Sequence, residues 1–471
     1  MADTIYDVAI IGSGPAGYTA AIRAGQWGLK TALIEKDSKL GGTCLHVGCI
    51  PTKALLFNAE IMEHVKAAKE FGINGIGKLT VDWSTVQTRK DKVVQKHAKG
   101  LEFLMKKNKV ETIPGYGRLT GPAQNGAHTV EVEGKDGRKQ IKAKNILLAT
   151  GSEARMLPGL QPDDRILTNI EILSLKQVPK SLVVIGAGAV GVEFASIYRT
   201  FDSEVTILEM LPRMVPVEDE EISKELQRTY RKRGIGFHGN ATVEKIEKTK
   251  DGVAVDFTVD GKGQRIEAEK VLVAIGRAPR TQNIGLEKTK VKVERGYIHV
   301  NKWMQTDEPG IYAIGDIVAG LPQLAHAGSS EGIVAVGHIA GKPVKPIRKE
   351  LIPGATYCEP QIGSVGLTEA QAREKGYEVK VGKFPFSANS KASILGAHEG
   401  FIKVVAEAKY GEVLGVHIIG PSATDLIAEA VAAMELEATA EDLAATIHAH
   451  PTLAEGMLDA ANAVYGLAIN V

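Results

Sequence analysis

Cys44 and Cys49 are the first residues in this chain whose type and spacing suggest chemistry. They lie in the run Gly41-Gly-Thr-Cys44-Leu-His-Val-Gly-Cys49-Ile-Pro51-Thr-Lys53. In a regular helix, residues five apart are separated by roughly 7.5 Å along the axis. A disulfide wants its Cα atoms about 4.4–6.8 Å apart. A bridge here therefore needs an irregular helix start, which Gly48 and Pro51 permit. Three uses compete. A structural disulfide would close a very short loop and remove little unfolded-state entropy, and a reducing cytosol would oppose it. Metal ligation lacks further cysteines or clustered histidines. A catalytic dithiol fits if a redox cofactor binds next to it. The third cysteine, Cys358, has no partner by spacing and is expected to be a small buried hydrophobe.

A second candidate lies near the C-terminus, in His448-Ala-His450-Pro451-Thr-Leu-Ala-Glu455. Thiol exchange needs a thiolate, and a histidine that titrates near neutrality can supply it by taking the proton. Glu455 can hold the other ring nitrogen and fix the tautomer. Pro451 restrains His450 to extended geometry. Taken alone, a histidine is more often a packing or surface residue, and that reading holds for His448.

The elements that position these groups are repeated. The first copy is Val8-Ala-Ile-Ile-Gly12-Ser-Gly14-Pro-Ala-Gly17, followed by Thr31-Ala-Leu-Ile-Glu35. The second is Leu182-Val-Val-Ile-Gly186-Ala-Gly188-Ala-Val-Gly191, followed by Val205-Thr-Ile-Leu-Glu209. In both, the acidic residue falls 23 positions after the first glycine. Each copy runs from a β-branched strand through a glycine turn into a helix, then to a strand ending in Glu. That is the context a dinucleotide fingerprint requires. The first Gly allows the turn, the second lets backbone approach a pyrophosphate, and the third lets helix pack on strand. The helix N-terminus supplies free N–H groups. Glu35 and Glu209 can accept from a ribose diol. Glu209 would repel a 2′-phosphate and favours NAD over NADP, although Arg213 lies nearby. The bland alternative is a pair of glycine turns without ligand.

Between the copies, residues 52–107 have helical spacing, and short strands follow, with a turn at Glu133-Gly-Lys-Asp-Gly137. Asn145-Ile-Leu-Leu-Ala-Thr150-Gly151-Ser152 and Val271-Leu-Val-Ala-Ile-Gly276-Arg277 read as buried strands ending in small-residue loops beside a nucleotide, or as plain strand ends. Ile311-Tyr-Ala-Ile-Gly315-Asp316 delivers a carboxylate that could bind a flavin ribityl hydroxyl; by itself a Gly-Asp is usually a turn. Beyond about residue 347 the pattern becomes α+β. A hairpin is expected around Lys409-Tyr-Gly411. Helix N-terminal boxes are expected at Ser422-Ala-Thr-Asp425 and Thr439-Ala-Glu-Asp442.

Composition excludes several classes. The chain has 471 residues, 44% hydrophobic and 24% charged, so roughly three domains of ordinary globular character are expected. Fifty-seven basic against 56 acidic residues leave no excess for nucleic acid or an anionic membrane. The most apolar stretch, Leu182 to Ile197, is shorter than a bilayer span and broken by glycines and Glu193. No signal or transit segment is evident, so a cytoplasmic, bacterial-type location is expected ahead of a mitochondrial matrix.

With these motifs in hand, the chain resembles the pyridine nucleotide–disulfide oxidoreductases over essentially its whole length. The cysteine run and the His450-Pro-Thr-x-x-Glu455 run are the specific carriers; the two fingerprints and Gly315-Asp316 support them. The resemblance implies a flavoprotein oxidoreductase of α/β class: two Rossmann-like dinucleotide-binding domains plus a C-terminal α+β dimerisation domain. The expected partition is an FAD domain at 1–150, an NAD domain at 151–276, a central domain completing the FAD site at 277–346, and an interface domain at 347–471. Cys49 would be the flavin-side thiol and Cys44 the exchanging one, forming a redox-active disulfide. His450, oriented by Glu455, would be the acid/base acting on the thiols of the partner subunit. FAD would be held by Gly12, Gly14, Gly17, Glu35 and Lys36. Gly42, Thr43, Lys53, Gly117, Thr150, Gly151 and Ser152 would add to that site. Asp316 would bind the ribityl or phosphate side, and Ala325-His326 would border the isoalloxazine ring. NAD would take Gly186, Gly188, Gly191, Glu193, Glu209 and Gly276, with Lys53 pairing with Glu193. No metal is implied. The nearest branch of the family serves 2-oxo acid dehydrogenase complexes. That implies a homodimer whose partners are lipoyl domains and an acyltransferase core; glutathione-type and mercuric-type reductases are the alternative branches. His46 departs from the family, which often has Asn there, as do Phe201-Asp202 and Cys358.

Overall fold

The computed structural model describes residues 5–470. Its contacts group the chain into two compact units. The first contains Met1–Ala54, Thr85–Arg155 and Arg277–Ile347; the second contains Leu55–Ser84, Met156–Gly276 and Arg348–Val471.

The first unit is organised by a sheet. Strand β1 (Ile5–Ile11) leads to helix α1 (Pro15–Gln26) and strand β2 (Thr31–Glu35). Helices α2 (Gly42–Val47), α3 (Cys49–Lys66) and α4 (Trp83–Lys107) follow. Strands β3 (Glu111–Pro114), β4 (Tyr116–Leu119), β5 (His128–Gly134) and β6 (Gly137–Leu148) complete the row β3-β2-β1-β6-β5-β4, and the strand Ile311–Ala313 also pairs with β6. The β3-β2-β1-β6 part is parallel, as is the added strand, while β4-β5-β6 is antiparallel. All five residues of β2 are buried. A parallel strand covered on both faces has no solvent side, so its sequence does not alternate. The period-two geometry still sorts the side chains. Val8, Ile10 and Leu33 enter one core with α1. Ala9, Ile11, Ala32 and Ile34 enter the other. Helix α1 starts with Pro15 in its first turn and buries Ala16, Gly17, Ala20, Ala21 and Ala24. This small-residue face lets it lie close against the helix Ala325–Ile339.

The second unit repeats the theme. The strands Gly236–His238, Glu204–Leu208, Ser181–Ile185, Lys270–Val273 and Ile166–Leu167 form a parallel sheet in that order. The helix Ala189–Thr200 follows the central strand. Residues 352 onward build an antiparallel five-stranded sheet. Its middle is the hairpin Phe401–Glu407 with Val413–Gly420, both strands almost wholly buried.

Three local expectations need amendment. The helical region 52–107 is two helices, α3 and α4, separated by residues 67–82, where Gly72, Gly75 and Gly77 interrupt the pattern. Cys49 rather than Thr52 opens α3. Thr439 and Asp442 form a reciprocal capping box, but Ser422 sits at φ 55° and its side chain caps nothing, so only one of the two expected boxes exists.

Candidate active site

The two fingerprint loops have nearly the same construction. Gly12 has φ +107°, and a Cβ there would lie 2.2 Å from the Ala149 carbonyl oxygen. Gly186 has φ +103°, with the Ala274 oxygen at 2.4 Å. At Gly17 and at Gly191 a Cβ would fall 1.9 Å from the carbonyl oxygen of the first glycine of each loop. The middle glycines, Gly14 and Gly188, have nothing within 4 Å of a Cβ position. Each is also the N-cap of its helix, and no side chain caps either helix. Open backbone and uncapped N–H groups at a helix start are what a pyrophosphate needs.

The acidic residues lock both loops. Glu35 Oε2 accepts from the Ser13 N–H at 2.8 Å and the Ser13 hydroxyl at 2.6 Å, while Oε1 accepts from the Asp37 N–H. Glu209 accepts from the Ala187 N–H at 2.6 Å and the Leu211 N–H at 2.9 Å. The Arg213 guanidinium donates to the Pro216 carbonyl and its charge acts on Glu218 and Glu220. Its Nη1 is buried without a hydrogen-bond partner, so these contacts leave part of the guanidinium unused.

The dithiol sits at a break between helices. Cys44 lies inside α2, and Cys49 opens α3. Gly48 between them has φ −145° and ψ −116°, far from helical. A Cβ at Gly48 would stand 2.9 Å from the Thr43 oxygen. Both cysteines are half-buried. The Cys44 thiol is pushed far up, first by its hydrogen bond to Cys49, then by burial and by the charge on Cys49; the Cys49 N–H and Lys53 oppose this. The two sulfurs are thus coupled, and the Cys44 thiol holds its proton more tightly than an isolated thiol does. His46 donates from Nε2 to the Leu40 carbonyl at 2.8 Å, since a carbonyl only accepts. Gly42 is wedged against the first loop: a Cβ there would lie 2.7 Å from Gly14 Cα. The Gly41 N–H donates to the Ser13 carbonyl at 3.0 Å.

Other expected residues gather in the same unit. The Thr150 hydroxyl donates to the Arg280 carbonyl, and Gly151 has φ +71°. Ser152 donates its hydroxyl to Asp316. Gly117 is buried between Ile11 and Ile34, and Lys36 is exposed. Ala325 opens a 15-residue helix that no side chain caps. Arg277 joins this group without a motif of its own. Its Nε donates to the Ser152 hydroxyl at 2.7 Å, it faces Asp316 at 3.9 Å, and it feels the charge of Cys49. The only trace in the sequence was its place directly after Gly276.

In the second unit, Glu193 is buried and one of its oxygens accepts from the Tyr357 N–H at 2.9 Å. Gly276 is exposed at φ +106°. His450 Nδ1 faces Glu455 Oε1 at 2.9 Å. The other Glu455 oxygen accepts from the Thr452 N–H at 2.7 Å. Burial pushes the Glu455 carboxyl up, but the Thr452 N–H and His450 outweigh it and the net shift is downward. An ionised Glu455 accepts a hydrogen bond from the Nδ1–H and so leaves His450 Nε2 with its lone pair. His448 spends both ring nitrogens, on Thr446 O and Glu429. Cys358 is fully buried, and burial pushes its thiol up to about 12, so it is inert.

Two loops that fit dinucleotides, with a dithiol wedged against the first, define a flavin-linked disulfide oxidoreductase. Residues 6–332 match the pyridine nucleotide-disulphide oxidoreductase family, and residues 352–461 match the dimerisation domain of that family. The chain belongs to this family. It is 46% identical to a dihydrolipoyl dehydrogenase of Bacillus subtilis and 45% identical to one of Rhizobium etli, each over 99% of both chains. Among solved structures it is similar to LpdA from Mycobacterium tuberculosis, with a TM-score of 0.89, 28% identity and 97% and 98% of the two chains covered. An HOCl-induced flavoprotein disulfide reductase, RclA from Escherichia coli, superposes with a TM-score of 0.86 at 27% identity, covering 98% of this chain and 99% of that one. The cofactors of the family are FAD and NAD, and the two loops fit them. Among the described residues no helix is long and apolar enough to cross a membrane.

Proposed function

We propose that the protein is a dihydrolipoyl dehydrogenase: it oxidises protein-bound dihydrolipoamide to lipoamide and reduces NAD. The observation that carries this reading is the Cys44–Cys49 pair at the Gly48 break, wedged through Gly42 onto the first dinucleotide loop. The Gly12 loop, Glu35 and Asp316 hold FAD, and the Gly186 loop and Glu209 hold NAD. FAD supplies two-electron chemistry between the dithiol and the nicotinamide.

His450 Nε2 takes a proton from one substrate thiol. The resulting thiolate attacks Sγ of Cys44, and the Cys44–Cys49 bond breaks. Cys49 leaves as a thiolate, which Arg277 and Lys53 favour electrostatically. The second substrate thiol attacks the mixed disulfide. The cyclic disulfide departs, the proton of the second thiol passes to the leaving Cys44 sulfur, and His450 keeps the first. Glu455 keeps the proton on Nδ1 throughout, so Nε2 does the transfer. Glu209 favours NAD because its carboxylate, already fixed by two N–H groups, cannot swing away from a 2′-phosphate.

The finer assignments belong to the same reading. The chain divides into an FAD part at 1–150, an NAD part at 151–276, a central part at 277–346 and an interface part at 347–471. It works as a homodimer in which His450 serves the thiols of the second copy. It docks lipoyl domains and the acyltransferase core of a 2-oxo acid dehydrogenase complex, in a bacterial-type cytoplasm. NAD reduction by dihydrolipoamide, with NADP and glutathione disulfide as controls, tests the activity. Turnover with dihydrolipoamide and NAD is expected; turnover with glutathione disulfide and NADPH alone would overturn it.

A further inference from the structure

Glu331 is a buried carboxyl that the reaction above does not use. It lies on the helix Ala325–Ile339 with none of its surface exposed. Its Oε2 accepts from the Gly315 N–H at 2.6 Å. Its Oε1 is equally buried and has no hydrogen-bond partner. The helix carrying it is packed hard against α1. A Cβ at Gly328 would lie 3.0 Å from the Ala16 Cβ, and one at Gly332 would lie 2.9 Å from the Ala16 oxygen. The α1 face toward this helix is alanine with Thr19, which meets Ser329, and it carries no charge to answer a carboxylate.

The charged neighbours come from the turn that Glu331 holds. Gly315 has φ +75°, a left-handed turn that glycine tolerates. The next residue is Asp316, whose carboxylate accepts from Ser152 and faces Arg277. Asp316 has the same sign as an ionised Glu331. Burial pushes the Glu331 carboxyl up to about 7, the Gly315 N–H opposes this, and the Asp316 charge adds to it. A buried carboxyl with one unpartnered oxygen keeps its proton when it can. The proton then belongs on Oε1, because Oε2 must stay the acceptor for Gly315.

We propose that Glu331 is a positioning residue of the flavin site: its protonated carboxyl holds the Gly315–Asp316 turn through the Gly315 N–H, so that FAD retention is linked to one proton on this side chain. This rests on the reading that Asp316 contacts FAD. Loss of the proton would set a second negative charge beside Asp316, at a turn that is read as holding an anionic cofactor. Bound FAD thus favours the protonated form, and alkaline pH favours release.

The test follows flavin release rather than turnover. The holoenzyme is diluted at pH 6.0 to 8.5 and the fluorescence of freed FAD is recorded. The wild type should release FAD faster as pH rises through neutrality, on the order of tenfold across that range. Glu331→Gln retains an acceptor oxygen for Gly315 and carries no titrating proton. It should release FAD as slowly as the wild type at pH 6.0 and show no pH dependence. Glu331→Leu should lose FAD rapidly at every pH. Superimposable profiles for the wild type and Glu331→Gln would overturn the proposal. If Glu331→Gln does not accumulate, a pH-independent wild-type rate overturns it by itself. A purified chain that never carries flavin would overturn the cofactor reading instead, a result separate from either profile.

Discussion

The two dinucleotide loops differ less in their glycines than in what comes after them. In both, the residue six positions beyond the acid returns a backbone N–H to the loop: Gly41 to Ser13 at 3.0 Å, and Val215 to Ala187 at 2.9 Å. Both residues have positive φ, +121° at Gly41 and +40° at Val215. The repeat is thus longer than its fingerprint. From there the copies diverge. The first turns at once into α2 and the cysteines, with Gly42 pressed on Gly14. The second runs past Pro216 to a helix that begins only at Glu220. Glu35 also accepts three hydrogen bonds where Glu209 accepts two. The first loop is covered and braced, which suits a resident cofactor. The second is left more open, which suits a molecule that must arrive and leave.

The largest effect should separate the two loops outright. Gly12→Ala places a Cβ 2.2 Å from backbone oxygen at positive φ, and Gly186→Ala does the same at 2.4 Å. Each change should cost about 3 kcal/mol or more locally. Purified Gly12→Ala should lack the flavin absorbance. Gly186→Ala should retain it, remain reducible by dihydrolipoamide, and fail to reduce NAD. Loss of flavin from both variants would mean that the loops are not independent.

A lesion outside both loops sharpens the comparison. His450→Gln should retain flavin and NAD binding and lower kcat with dihydrolipoamide by roughly 10²–10⁴-fold, the usual contribution of a positioned acid/base. Unchanged turnover would reject the base role. Next comes Glu209→Ala. It strips an acceptor from two backbone N–H groups, a cost of about 1–3 kcal/mol. The KM for NAD should rise on the order of tenfold with FAD content unaltered. The smallest effect belongs to His46→Asn. An amide can still donate to Leu40 O, so turnover should fall less than about threefold. His46→Leu removes the donor and should be the more damaging of the pair in the same turnover assay.

Legibility followed the kind of constraint each residue answers to. The glycines of the two loops were readable because a tight turn and a close helix–strand approach exclude every side chain, and that exclusion leaves a spacing. The cysteines and the His450–Glu455 pair were readable because their partners lie five residues away. Arg277 was not, because its meaning depends on Ser152 and Asp316, both far along the chain. Glu331 was hidden for a related reason. Ser329-Ser-Glu331-Gly looks like a solvent-facing turn of helix, and only the alanine face of α1 makes it interior. The region 52–107 misled because the helical pattern on either side hides the segment 70–77, Glu-Phe-Gly-Ile-Asn-Gly-Ile-Gly, whose glycines break the backbone.

Gly48 carries a last consequence. The two cysteines sit on different helices, so their bond spans the joint at Gly48, whose carbonyl accepts from Thr52 and anchors the start of α3. The joint is also tight, with no room for a side chain at Gly48. The electron store of this enzyme is therefore a short hinge between two stiff arms. Such a part can open and close its bond with little heavy-atom motion.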